Sequence, residues 1–433
     1  MMPPQRRSLA FMVMAVACLV AGLATGRDLW FTLAYLLGLL ILASFLWAWV
    51  NLRYVHISRH TRSRRTQVGQ PLEERFTVRN TSFLPKLWIE VRDYSTLPGH
   101  HASRVVHNIR PKGTFYWRAI TLNQLRGRFQ LGPLSIASSD PFGLFPMERQ
   151  IVATNSLVVY PLTVDIHTFS LPVGLLPGGD ALRRRSVTLT TNAAGVREYA
   201  PGDSFNRIHW PSTARRDRLI VKEFELDPLT DIWIVVDMAQ FEHVSHPTEA
   251  LELAPYELAK MSWRELEAAR QVKLPPSTEE YTVTVAASLA QFFLRQDRAV
   301  GMAARGQSHE VLQPDRGERQ LNRVLETLAV LRAQGQMPLP VLVETETHLF
   351  QRGATVIVVT PTTQVSWVLN AREVMRRGLR LVTVLVNPAS FGGQESAESL
   401  LALLQANSVH SYLINYGDNL TDALSRGARR VFL

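Results

Sequence analysis

A chain of 433 residues has room for two or three domains with cores of their own. Its formal net charge of +10 is unevenly placed: the first 65 residues hold eight arginines against the single Asp28 and so carry +7 of it, a pattern of membrane flanks that argues against a nucleic-acid footprint. Cys18 is the sole cysteine, which excludes a disulfide framework, a thiolate metal site and a cysteine nucleophile.

Two apolar runs come first, Leu9 to Ala24 and Leu29 to Val50, separated by Thr25-Gly26-Arg27-Asp28. A bilayer crossing needs about 20 apolar residues, so the second run is long enough and the first is near the lower limit. The short break between them predicts a transmembrane helical hairpin over residues 1–52; a cleaved signal peptide is the alternative for the first run. Arg6 and Arg7 precede the hairpin, and Arg53, Arg59, Arg62, Arg64 and Arg65 follow it. Because positive flanks stay in the cytosol, a multi-pass plasma-membrane protein with both ends and its globular part cytoplasmic is expected. Residues 53–66 read as a basic juxtamembrane linker able to lie against anionic lipid headgroups.

From Gln67 to Pro161 the pattern is all-β. Alternation in Glu74 to Arg79 and Leu87 to Val91, broken by turn-rich Asn80-Thr81-Ser82 and Leu97-Pro98-Gly99, predicts a small β-sandwich over residues 67–165. His100, His101 and His107 fall in an expected strand-to-strand loop and read as surface histidines. Residues 166–194, rich in Gly, Pro and Arg, read as a linker whose Arg183-Arg184-Arg185 forms a solvated face. Beyond Asp231, continuous apolar runs at Ile232 to Val236, Ala354 to Val359 and Leu381 to Val386 alternate with helical periods at Thr278 to Leu294, Gln320 to Leu331, Ser366 to Arg376 and Ala397 to Leu404. That alternation predicts a parallel sheet covered on both faces over residues 231–433, with an added helical segment at Leu251 to Arg270. The fold class is thus α+β and multidomain.

Between the two globular parts, residues 195–230 form a strap in which charges interleave with large aromatics. Ions in such a setting need named partners, so a partly buried network is expected. Its candidate residues are Arg197, Glu198, Tyr199, Gly202, Asp203, Arg207, His209, Trp210, Arg215, Lys222 and Glu223. Trp210 is expected as the apolar anchor, Arg215 as the partner of a buried carboxylate. Asp203 or Ser204 is placed to cap a short helix carrying Phe205, Ile208 and Trp210, followed by a strand from Leu219 to Phe224.

The segment REYAPGDSFNRIHWPSTARRDRLIVKEFE, together with RGRFQLGP at Arg126 to Pro133 and DPFGLF at Asp140 to Phe145, resembles the bacterial domain of unknown function 58 family. The resemblance implies membrane attachment, a von Willebrand A-like α/β domain, and partnership with a MoxR-type AAA+ ATPase. It implies no known reaction. In metal-binding domains of that type the first strand ends in Asp-x-Ser-x-Ser, which supplies oxygen ligands to magnesium. Here the matching place reads Asp237-Met238-Ala239-Gln240-Phe241, without either hydroxyl, so Asp237 is left as a lone candidate ligand for Mg and no cofactor is expected.

Chemistry elsewhere is sparse. His243 and His246 lack a zinc-site spacing, and no phosphate-cradling glycine loop or nucleophile elbow occurs. A non-enzymatic membrane-anchored adaptor is the leading expectation. The rival is an envelope-associated hydrolase built around Asp203 and His209, with Ser212 nearby; an anionic-lipid sensor is a third reading.

Overall fold

The computed structural model describes residues 4–152, 154–171, 193–198, 209–216, 218–224, 231–245 and 274–425. Two compact units result, one holding Leu162 and the chain before it, the other most of the chain from Thr163 onward. Tyr199, Gly202, Asp203, Arg207, His246, the expected capping residues and the segment 251–270 lie outside the described residues.

Helices α1 (Pro4–Thr25) and α2 (Asp28–Arg53) are the two apolar runs, each long and apolar enough to cross a membrane. Then follow β1 (Val55–Thr61), β2 (Arg65–Gln67), β3 (Pro71–Asn80), β4 (Lys86–Asp93), β5 (Arg104–Ile109), β6 (Thr114–Leu122), β7 (Gly127–Leu131), β8 (Leu134–Ser138), β9 (Met147–Ile151) and β10 (Asn155–Tyr160). They form sheets ordered β1-β3-β6, β5-β4-β8-β9 and β2-β10-β7. Phe76 and Val78 of the first sheet meet Ile89, Val91, Leu134 and Ile136 of the second in one buried core, with Trp117 stacked on Phe76 at 5.0 Å. Residues 53–66 are therefore not a linker: Val55 follows α2 after one residue, and β1 pairs along β3 from Val55↔Asn80 to Thr61↔Glu74.

That pairing places a buried ionic quartet inside the unit. The Arg59 guanidinium donates to both oxygens of Glu74, from Nε at 2.8 Å and Nη2 at 2.6 Å, and through Nη1 to Asp93 at 3.2 Å. His100 Nε2 lies 3.1 Å from Glu74 and 2.9 Å from Asp93, while its Nδ1 meets the Thr121 hydroxyl at 2.7 Å. All four side chains are at most 2% exposed. Arg59 is thus no headgroup ligand and His100 no surface histidine. Alternation explains why: Val55, Ile57, Arg59 and Thr61 share one face of β1, as Leu72, Glu74, Phe76 and Val78 share one face of β3.

Electrostatics are consistent with this geometry. Burial alone would raise the pKa of Glu74, but hydrogen bonds from His100 and Arg59 outweigh it and hold the group at about 2. Burial likewise disfavours the charged ring of His100, and its bonds to Asp93 and Glu74 more than offset that, so its pKa stands above the ordinary value. With the His100 ring charged the quartet is neutral overall, two positive groups against two negative ones.

In the second unit, β11 (Ala193–Glu198) and β12 (Ile220–Phe224) pair antiparallel, with the short helix α3 (Trp210–Arg216) between them. The strand falls where the sequence placed it, while Phe205 and Ile208 of the expected helix lie outside the described residues. Beyond lie β13 (Ile232–Val236), α4 (Thr278–Arg295), β14 (Val300–Arg305), β15 (His309–Asp315), α5 (Gly317–Val330), α6 (Leu339–Glu346), β16 (Thr355–Thr360), α7 (Trp367–Arg376), β17 (Arg380–Val386), α8 (Glu398–Ala406), β18 (His410–Ile414) and α9 (Leu420–Ser425). The sheet order is β15-β14-β13-β16-β17-β18, with β15 antiparallel and the others parallel. Trp233, Val235, Val356 and Val358 pack on one face against α6, α7 and α8. Helix α4 contacts the sheet too, with Val283, Ala286, Ala287, Leu289, Ala290 and Phe293 buried. Full burial of a Leu or Phe contributes roughly 1.5–3 kcal/mol, so such a helix is held by packing more than by its own propensity.

Removing one member of the quartet leaves a buried charge unpaired, which costs about 3–5 kcal/mol. His100→Gln is therefore expected to lower the melting temperature sharply near pH 6. The His100 contribution is full below its unfolded pKa of 6.5 and is lost as pH rises through the raised folded value. The Glu74 contribution is full above 4.5 and is lost as pH falls towards 2. Melts of wild type and His100→Gln should therefore converge on going to alkaline pH; a constant gap would show that the ring acts by packing alone.

Candidate functional site

An open α/β sheet holds ligands outside the carboxyl ends of its strands, where the order reverses. Here that place is the end of β13, between β14 and β16. Asp237, the first residue past β13, is fully buried. Its Oδ2 accepts the Thr360 hydroxyl at 2.7 Å and its Oδ1 accepts the Ala239 N–H at 3.1 Å. Thr360 in turn accepts the Thr362 N–H at 3.0 Å. Burial raises the Asp237 pKa to about 6, against the pull of the Thr360 and Ala239 bonds.

A magnesium ion would find one side-chain ligand here, the Asp237 carboxylate. Both carboxylate oxygens have donors from the protein, and the Ala239 and Phe241 side chains carry no ligating atom. Among the described residues no three His, Cys, Asp or Glu side chains converge as a metal would need. The mouth is also narrowed by the chain itself. Gly335 donates to Met238 O at 2.9 Å and accepts from Gln240 N at 2.8 Å, laying its loop along the extension of β13. A Cβ on Gly335 would stand 2.2 Å from the Arg305 carbonyl oxygen, so only glycine fits there.

Around this plugged end sits a lip of another character. Glu242 accepts from Gln364 Nε2 at 2.6 Å; its pKa is raised by burial, against hydrogen bonds from Thr362 and Gln364, with Glu395 adding to the rise. Thr363 donates to Glu395. Phe241 is 57% exposed and Val365 54%. His243, which the sequence left without a zinc-site spacing, is half-buried and acts as a clasp: Nε2 meets Asp237 O at 2.9 Å and Nδ1 meets Thr278 Oγ1 at 3.1 Å at the start of α4. Its position just past an apolar strand was the available signal.

The signature residues are brought together only in part. Arg197 and Glu198 on β11 face Val221 and Ile220 on β12, which continues through Lys222 and Glu223. His209 N donates to Ile220 O at 2.7 Å, and the Thr213 hydroxyl accepts from Ile220 N at 3.0 Å, so α3 is tied to β12. His209 Nδ1 lies 2.7 Å from Ser212 Oγ. Two expectations fail. Trp210 is 64% exposed and anchors no core, and Arg215 is exposed, with no carboxylate partner among the described residues. A helix of seven residues is too short for its apolar positions to define an inward face.

Residues 195–254 match the model of the family described as "Protein of unknown function DUF58", and the resemblance seen in the sequence is thereby shown. The uncharacterized protein YeaD of Bacillus subtilis (strain 168) is 22% identical over 217 residues, which make up 49% of this chain and 45% of that protein. The match thus spans less than half the length of this curated relative. Among solved structures, the conserved hypothetical protein BatB from Bacteroides thetaiotaomicron aligns with 11% identity, a TM-score of 0.30, and coverage of 45% of this chain and 95% of that one. A β-glucosidase from Listeria innocua aligns at 12% identity and a TM-score of 0.16, over 24% of this chain and 16% of that one. Structural likeness at this level carries no functional argument.

Asp237 ionises against its burial, so between its ordinary pKa of 3.8 and about 6 the unfolded chain releases its proton while the folded chain keeps it. Stability therefore falls across that window, by on the order of 3 kcal/mol once the group is charged. Asp237→Asn is expected to raise the melting temperature at pH 8 and to leave it unchanged near pH 4, with added magnesium shifting neither protein. A magnesium-dependent rise in the wild type, abolished in Asp237→Asn, would restore the metal site.

Proposed function

We propose that this chain is a non-enzymatic, membrane-anchored adaptor whose globular units face the cytoplasm and whose α/β unit is von Willebrand A-like. Its partner, on this reading, is a MoxR-type AAA+ ATPase serving an envelope or complex-assembly process. The observation that carries the proposal is the outward placement of Trp210 in the family signature, 64% exposed, with Arg215 and the 41% exposed Leu219 in the same short α3–β12 stretch. Tryptophan and arginine are the residues most enriched at binding hot spots, and both side chains stand exposed here. Further support comes from Asp237, whose carboxylate is satisfied internally where an enzyme of this architecture would present an open crevice.

The arginine flanks of the two apolar helices support this orientation. A second reading, an envelope-associated hydrolase, is favoured by one contact, His209 Nδ1 to Ser212 Oγ at 2.7 Å. An activity abolished by His209→Ala and by Ser212→Ala, with folding intact, would select it.

The adaptor reading is tested by affinity capture of the tagged full-length chain in mild detergent, with and without ATP. Recovery of an AAA+ ATPase by the wild type, and its loss with Trp210→Ala or Arg215→Ala, is expected. Both side chains are exposed, so these variants should melt within about 0.5 kcal/mol of wild type. Capture that is indifferent to both substitutions would remove the strap from the interface.

A further inference from the structure

The end of α2 runs directly into the first unit, and the loops gathered around it have an unusual surface. Lys86 Nζ donates to Val50 O at 2.9 Å, Asn51 Nδ2 to Ser138 Oγ at 2.6 Å, and Thr81 N to Tyr54 O at 2.9 Å. These bonds fix the β3–β4 and β8–β9 loops along the last turns of α2. Contact reaches still further up the helix: Phe145 meets Phe45 edge-on at 5.6 Å, and a cavity of about 220 Å³ lies between Ala43, Leu46 and Trp47 on one side and Leu84 and Pro85 on the other.

From Ala43 to Arg53 the helix rises roughly 15 Å. The 26 residues of α2 span about 39 Å, against a hydrocarbon core of about 30 Å. Loops that reach Ala43 therefore extend past the point at which the helix leaves the core. In these loops stand Phe83, 80% exposed, Leu84, 49%, and Phe142, 58%, and the helix end itself exposes Trp47, Trp49 and Tyr54. Cations sit among them, with Lys112 Nζ 4.6 Å from the Phe83 ring and Arg53 4.4 Å from the Trp49 ring.

Both tips are held outward by buried groups. Asn80, fully buried, donates to Leu84 O at 2.8 Å and Arg110 O at 3.1 Å and accepts from Ser82, fixing the β3–β4 loop against the β5–β6 turn. Asp140, also buried, accepts the N–H groups of Phe142 at 3.0 Å and Phe145 at 2.8 Å. Rigidly displayed aromatics with cations between them match the headgroup level of a bilayer, where rings are half in hydrocarbon and cations meet phosphates.

We infer that this unit is seated in the membrane surface, with Phe83, Leu84 and Phe142 inserted among the phospholipids of the leaflet from which α2 emerges. The inference rests on the membrane anchorage of α2. Seating of this kind fixes the tilt of the unit and leaves its far end, at Gln70, facing water.

Depth-dependent fluorescence quenching of the full-length chain tests it. In a Cys18→Ser background, Phe83→Cys, Phe142→Cys, Gln70→Cys and Leu39→Cys are labelled singly with an environment-sensitive dye. The proteins are reconstituted into phosphatidylcholine–phosphatidylglycerol vesicles carrying a nitroxide near the top of the acyl chain. Loss of most of the fluorescence at positions 83 and 142, with quenching at 39 and none at 70, is expected. Quenching at 39 without quenching at 83 and 142 would overturn the seating while leaving the anchor in place. No quenching at any of the four would overturn the anchor and the seating together.

Discussion

One guanidinium and one imidazole, shared between two carboxylates and closed off from water, hold the first unit to its own entrance strand. Arg59 belongs to β1, which begins one residue after α2 ends, and Glu74 and Asp93 belong to the two sheets that pack over the core. His100 bridges both acids, and Thr121 on β6 fixes its other nitrogen. An ionic group buried this way adds little stability compared with a hydrophobic replacement; what it adds is register, because every alternative pairing strands a charge in a dry core. The strand that leaves the helix is thus locked in one place. At the other end of β3, Asn80 holds the loop that carries Phe83, and Asp140 holds the loop of Phe142.

In the second unit a single carboxyl plays a comparable structural part. Asp237 ties the end of β13 to the end of β16 through Thr360, across 123 positions of sequence. Its two neighbours on the strand extension, Ala239 and Phe241, would have to be hydroxyl residues for a cation to gain a shell of ligands. The Gly335 loop and the His243 clasp then occupy the space on either side. Glu74, Asp93 and His100 in the first unit, and Asp237 in the second, are each satisfied by groups of their own unit.

Much of this was legible as pattern. The two apolar helices, the β-rich stretch, and the strands and helices flanking Asp237 fall where periodicity puts them, because long apolar runs and clean alternation are set by burial itself. Strands β14 and β15 were missed. β14 reads Val-Gly-Met-Ala-Ala-Arg, whose small residues give a weak apolar signal; a Cβ on Gly301 would lie 3.0 Å from the Trp233 ring. The quartet was missed for a different reason. Arg59 was counted with its basic neighbours, although alternation from Val55 through Ile57 puts it on the core face of β1, and the same reading from Leu72 to Val78 puts Glu74 there on β3. Opposite charges on two inward faces were the available signal. Trp210 stands outside because an aromatic among charges reads alike in sequence whether it is buried or exposed, and α3 is too short to show which face is inward.

The claim on which the account turns is that the quartet acts as one cooperative unit, and a double-mutant cycle on Glu74→Gln and His100→Gln measures that directly. Unfolding free energies of the wild type, both single variants and the double variant, taken near pH 6, should give a coupling of about 1 to 3 kcal/mol. Additivity within about 0.5 kcal/mol would mean that the two groups stabilise the fold independently, and that register is set by the apolar core without them.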